Sequence, residues 1–169
     1  MANTYVAIST VTVGSGGSSA IDFTSIANTY TDLIVLCSLR GDRPTVLDYV
    51  EINFNSDTTA GNYTRRILLG DGSTASSTAP SARDFYISAD NATASVFANS
   101  TIYIPNYAGS NYKSASIDSV SENNATEAYQ SLTAYLWSNT AAITAIKLTP
   151  DYGIFRQYST ATLYGVKSS

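Results

Sequence analysis

The sequence predicts an all-β fold, an antiparallel β-sandwich forming a single domain over residues 1–169, and three observations lead there. Only 13% of the residues are charged, about half the usual share, while Ser and Thr make up roughly a quarter of the chain and Tyr occurs 13 times. Thr, Tyr, Val and Ile suit a pleated, half-buried surface, whereas Lys, Glu, Met and Leu suit helices. Short segments of alternating polarity are separated by turn signals at roughly 8–15-residue intervals, the spacing of a sandwich. The stretch from Tyr129 to Leu148 alternates on both sides of the polar break Ser138–Ala142, the pattern of a β-hairpin.

In chain order, residues 5–13 alternate loosely and form a first strand, and Gly14–Ser19 is a flexible turn. Residues 20–23 form a short second strand. The continuous apolar run 32–39 is too short for a helix and rich in branched residues, which predicts a central strand covered on both faces. Residues 40–45 turn. Residues 49–54 alternate cleanly, with Val50, Ile52 and Phe54 facing in. After a loop at 55–62, residues 63–69 form another strand, and the small polar run 70–82 is a mobile loop. Strands follow at 84–89, 100–104 and 113–121, the last with Ala115, Ile117 and Ser119 on one face. The hairpin comes next, then a turn-rich connection at 151–158 and a closing strand at 159–167. Ala125, Tyr129, Leu132 and Leu136 also fit helical spacing, with Asn124 and Glu127 as a capping box. Thr133, Tyr135 and Trp137 favour the strand instead. No repeat and no domain-separating linker is visible.

Several chemistries are excluded or unsupported. A net charge of −4 and a pI near 4.5 argue against nucleic acid as a partner, because nonspecific binding needs a basic surface. The absence of histidine removes Ser-His-Asp and Cys-His catalysis and almost every zinc site. No Gly-rich phosphate loop opens a helix, and no cofactor is implied. The single Cys37 rules out an intrachain disulfide and reads as a small core residue. No run approaches the ~18 apolar residues of a membrane span, and no secretory leader is visible.

The remaining signals are weak ones. Carboxylate pairs for glycoside hydrolysis would be Asp118 with Glu122 or Asp71 with Asp84, and solvated surface carboxylates are the plainer account. Asn55, Asp57, Asp71 and Asp90 lie in loops with oxygens to offer calcium, at a spacing that matches no calcium loop. No catalytic, cofactor or metal residue is therefore assigned. Arg65 and Arg66 fall on opposite faces of a strand, so an inward Arg needs a carboxylate or a neighbouring subunit, unless it sits at the rim. Arg40-Gly41-Asp42 matches an adhesion tripeptide but reads better as a tight turn. The loop tyrosines Tyr107, Tyr112, Tyr152 and Tyr158 are candidate recognition residues, since Tyr-rich polar loops suit binding surfaces.

Six phrases occur together in order: Ile26-Ala-Asn-Thr-Tyr-Thr-Asp-Leu, Ile52-Asn-Phe-Asn-Ser-Asp, Gly61-Asn-Tyr-Thr, Ile102-Tyr-Ile-Pro-Asn-Tyr, Leu136-Trp-Ser-Asn-Thr-Ala-Ala-Ile-Thr-Ala-Ile and Thr162-Leu-Tyr-Gly-Val-Lys. From about Tyr5 to Lys167 the chain resembles a family of tailed-bacteriophage structural modules. The resemblance implies a jelly-roll-like β-sandwich on the virion exterior, assembled in the host cytoplasm, and it carries no catalytic motif to transfer.

Two functions follow as expectations. One is a capsid decoration (cement or knob) protein whose partner is the major capsid protein. The other is a tail-fibre or baseplate tip, bound to tail components, that recognises host surface glycan. The first strand begins within five residues of Met1 and leaves no room for a shaft, which favours decoration. An enzyme that degrades surface polysaccharide ranks behind both. Strands with little charge, such as Thr101-Ile-Tyr-Ile and Leu132–Trp137, look like unprotected edges that a second copy would cover. The expected partner is therefore the chain itself; the resemblance and the symmetry of virions imply a homotrimer, with Tyr103, Tyr135, Trp137 and Arg65 at the interface. The expected core contains Trp137, Leu136, Ile146, Leu148, Phe54, Ile52, Ile34 and Leu36, with part of the cover of Trp137 supplied by a partner.

Overall fold

The computed structural model describes residues 4–124 and 127–167. They form twelve strands: β1 (Tyr5–Thr12), β2 (Ile21–Phe23), β3 (Asp32–Leu39), β4 (Leu47–Phe54), β5 (Tyr63–Gly70), β6 (Ala75–Thr78), β7 (Phe85–Ser88), β8 (Ala98–Pro105), β9 (Lys113–Glu122), β10 (Ala128–Trp137), β11 (Ile146–Pro150) and β12 (Thr160–Val166). An eight-stranded sheet, ordered β1-β12-β3-β8-β9-β10-β5-β6, packs on a four-stranded sheet, ordered β2-β11-β4-β7. The ladders between these strands are antiparallel. The predicted sandwich is therefore the fold.

The pairing has a simple logic. β1 pairs with β12, β2 with β11, β3 with β8 and β4 with β7. A long two-stranded ribbon is thus folded over itself, alternating between sheets, which is the eight-stranded, double Greek-key jelly roll. Two hairpins are added to this frame. β5–β6 follows β4, β9–β10 follows β8, and together they extend the large sheet beyond β8.

This topology corrects the hairpin expected over Tyr129–Leu148. β10 belongs to the large sheet, while β11 pairs with β2 and β4 in the small one. Both segments are strands, but the polar break carries the chain between layers. It also corrects the edges. β8 and β10 are bonded on both sides, so neither Thr101–Ile104 nor Leu132–Trp137 is an edge. The actual edges are blunted: β2 has three residues, β6 is polar and short, and the β1 ladder is interrupted between Ala7 and Ser9. β6 itself lies within the run read as a loop. The helical alternative over 125–136 is excluded for residues 128–136, which lie in β10; Ala125 lies outside the described residues.

The core lies between the sheets. Leu33, Val35 and Leu39 from β3, Ile102 and Ile104 from β8, Leu163 from β12, and Val50, Ile52 and Phe54 from β4 are fully buried. Of the eight expected core residues, Trp137, Ile146, Leu148, Phe54 and Ile52 are buried, Leu136 and Ile34 are half-buried, and Leu36 is 45% exposed. β3 is central but covered on one face only. On β10 the apolar pattern is inverted: Ser131, Thr133, Tyr135 and Trp137 face in, and Leu132 faces out. The small sheet ends at β7 while the large sheet continues past it. The unpaired edge of β7 therefore needs donors: Thr133 Oγ1 donates to Asp84 O at 2.6 Å and Ser119 Oγ to Tyr86 O at 2.6 Å.

Candidate interaction surface

The residues singled out for an interface are mostly internal. Trp137, Tyr135 and Arg65 are 1%, 2% and 2% exposed. Trp137 and Tyr135 pack against Phe54 at ring separations of 5.6 and 5.7 Å, so the chain's own small sheet supplies their cover. Arg65 points inward and finds its carboxylate within the chain. Its Nε donates to Asp84 Oδ1, its Nη1 donates to Ser81 O at 2.5 Å, and its guanidinium lies 5.2 and 5.3 Å from the Tyr63 and Tyr135 ring centroids. Asp84 Oδ2 also accepts from Ile52 N at 2.5 Å. Burial pushes the Asp84 carboxyl up to about 6, against the attraction of Arg65. This inter-sheet knot replaces the expected subunit contact. Of the four candidates only Tyr103, 37% exposed, reaches the surface, where its hydroxyl donates to Asp32 Oδ2 at 2.8 Å.

The outward face of the large sheet is where apolar side chains remain uncovered. Tyr5, Leu36, Leu68, Leu132 and Tyr103 lie on it with exposures between 37% and 59%. The face carries three neighbouring depressions of about 350, 750 and 300 Å3. The largest is a trough over β8, β9, β10 and β5, the region that the two added hairpins build. Its central strands contribute the small side chains Ser114, Ser116 and Ala134, and Tyr103, Leu132 and Leu68 flank them. Arg66 and Asp118 are the charged residues of its lining. Leu36 and Ile34 of β3 and Leu136 of β10, expected in the core, thus turn towards this outward face, while Trp137 stays in the core.

The four recognition tyrosines divide between the two ends of the sandwich. Tyr107 is fully buried, with its hydroxyl donating to Ala27 O, and serves as a core plug. Tyr112, 60% exposed, is at that same end, whereas Tyr152 and Tyr158, 51% and 67% exposed, lie at the other. Arg40 is 6% exposed and donates to four carbonyls of residues 90–96, so the Arg40-Gly41-Asp42 tripeptide presents no adhesion motif.

The paired carboxylates are not arranged for joint chemistry. Asp118 lies in the trough, and Glu122 is held by Thr93 N at 2.7 Å and Thr93 Oγ1 at 2.8 Å. Asp71 caps its own turn through Ser73 N and Thr74 N, and Asp84 is spent on Arg65. The loop oxygens offered to calcium are likewise engaged separately. Asn55 accepts from Thr144 N, Asp57 from Trp137 Nε1 at 2.8 Å, and Asp90 from Arg156 at 2.8 Å. Among the described residues no three potential metal-ligating side chains gather, and no helix is long and apolar enough to cross a membrane.

Compared with protein-family models, with curated proteins and with solved structures, the chain matches none.

Proposed function

We propose that this chain is a structural component of a tailed-bacteriophage particle, a capsid decoration protein that docks on the outside of the head through the outward face of its large sheet, as a homotrimer. The observation that carries the reading is the trough over β8, β9, β10 and β5: a broad apolar surface, poor in charge, on an otherwise polar domain. Contiguous apolar patches of this kind mark interaction sites, and aromatic residues such as Tyr103 and Tyr5 anchor them. The sequence resemblance supplies the phage setting. Jelly rolls serve both viral shells and lectins, so the fold is compatible with the reading without selecting it.

The test is cosedimentation with phage heads that lack the protein, paired with light scattering of the purified chain. The wild type should pellet with heads and scatter as a trimer. Leu132→Asp should do neither while keeping its thermal midpoint, because Leu132 is a surface side chain. Undiminished head binding by that variant would defeat the reading, and immunolabel confined to the virion tail would transfer the protein to the fibre tip.

A further inference from the structure

At the end of the sandwich that carries Tyr158, a cleft of about 410 Å3 opens among three turns. It falls within the roughly 300–1,000 Å3 range of small-ligand sites. Two of the turns share an unusual feature. In Thr93–Val96, closed by Val96 N to Thr93 O at 3.2 Å, Ser95 has φ 64°; in Arg156–Ser159, closed by Ser159 N to Arg156 O at 3.1 Å, Tyr158 has φ 72°. Each occupies the third position of its turn, where a positive φ normally calls for Gly or Asn. For a residue as bulky as Tyr this is a genuine outlier, and such strain concentrates at ligand sites. The strain is not compensated by packing, since the Tyr158 side chain stands out in solvent.

One buried residue holds both turns. Arg40 Nη1 donates to Thr93 O at 2.7 Å and to Val96 O at 2.8 Å, fixing the first. Arg40 N donates to Ser159 Oγ at 3.1 Å, and Arg40 O accepts from Arg156 N at 2.8 Å, fixing the second. The third turn closes at Gly17, φ 71°, where a Cβ would stand 2.9 Å from Phe155 O, so only Gly allows that approach. The backbone of the cleft is therefore set before any ligand arrives, which lowers the ordering cost of binding. Two of its polar side chains are unspent, since the Gln157 amide and the Ser95 hydroxyl make no hydrogen bond within the described chain, while Arg156 uses only Nη2, on Asp90 at 2.8 Å.

From this arrangement we infer that the cleft binds a saccharide, with the apolar face of one sugar ring on Tyr158 and its hydroxyls on Gln157, Arg156 and Ser95. An exposed aromatic ring on the rim of a cleft that an amide, a hydroxyl and a carboxylate-paired guanidinium also line matches a ring that has C–H on one face and hydroxyls at its rim. The site is on a loop end of the sandwich and does not involve the trough, so the inference stands or falls separately from head docking.

Saturation-transfer NMR of the intact chain with glucose, galactose, mannose, N-acetylglucosamine and glucuronic acid, each at about 10 mM, tests it, since single-sugar contacts of this size bind in the millimolar range. At least one sugar should receive saturation. Tyr158→Gly should weaken that signal at least tenfold while leaving the thermal midpoint within a few degrees, on the order of 2–4 °C, because the strain that Gly relieves at positive φ offsets the chain entropy it adds. Gln157→Ala should weaken it several-fold. Silence from all five sugars overturns the inference. So does an undiminished signal in Tyr158→Gly, or a midpoint lowered by clearly more than the roughly 2–4 °C that a glycine's chain entropy costs, which would make the ring structural.

Discussion

Arg65→Met tests the inter-sheet knot most directly. Methionine retains an apolar stem but removes the charge and every donor. Asp84 is then left fully buried, still bonded to Ile52 N, with no cation beside it. Breaking a buried pair from one side costs about 3–5 kcal/mol, a large part of the roughly 5–15 kcal/mol that stabilises a domain. The cost depends on pH with a definite sign. The folded Asp84 value of about 6 lies above its ordinary 3.8, so its contribution to stability is fully present below about pH 4 and is lost as pH rises through about 6. Removing Arg65 removes the attraction that restrains the folded value, so the window of loss extends further upward. At pH 4 the carboxyl is largely protonated in both folded proteins and the gap between variant and wild type narrows; at pH 7 it is widest. Adding Asp84→Asn to the variant should recover part of the loss at pH 7. Urea unfolding followed by Trp137 emission at the two pH values measures this. A gap equal at both, or below about 1 kcal/mol at pH 7, would refute the reasoning.

Three further outcomes are expected. Hydrogen bonds from Trp137 Nε1, Asn62 and Thr59 hold the Asp57 carboxyl down near 2, so its stabilisation is present above about pH 4 and fades as pH falls towards 2; an acid titration of the indole emission should show this limb, and Asp57→Ala should abolish it. Burial pushes the Cys37 thiol up to about 12, so a thiol-specific chromogenic reagent should label the native chain negligibly and label it stoichiometrically in denaturant. Phe54→Ala, which vacates the centre of the aromatic cluster, should cost about 3–5 kcal/mol in chemical denaturation, whereas Leu136→Ala, on the half-exposed face, should cost clearly less.

Strand identity was determined locally, because period-two alternation and turn residues act over a few neighbours. Residues 32–39, 49–54 and 113–121 coincide with strands or fall inside them, and the all-β sandwich follows from composition together with the spacing of the turns. Cys37 was legible as a buried residue for the same reason. Which strand lies beside which, and which face turns inward, was decided only by the tertiary structure. Leu132 and Leu36 look like core in any local window, yet they face out. Where the large sheet overhangs the small one, Ser119 and Thr133 turn in to satisfy the carbonyls of Tyr86 in β7 and of Asp84 just before it. Arg65 reads as a rim or interface residue until Asp84, nineteen positions away, is placed beneath it. Tyr107 and Tyr158 are equivalent loop tyrosines in the sequence. One plugs the core and the other is exposed, because burial depends on what the opposite layer presents, and alternation along a single strand carries no record of that layer.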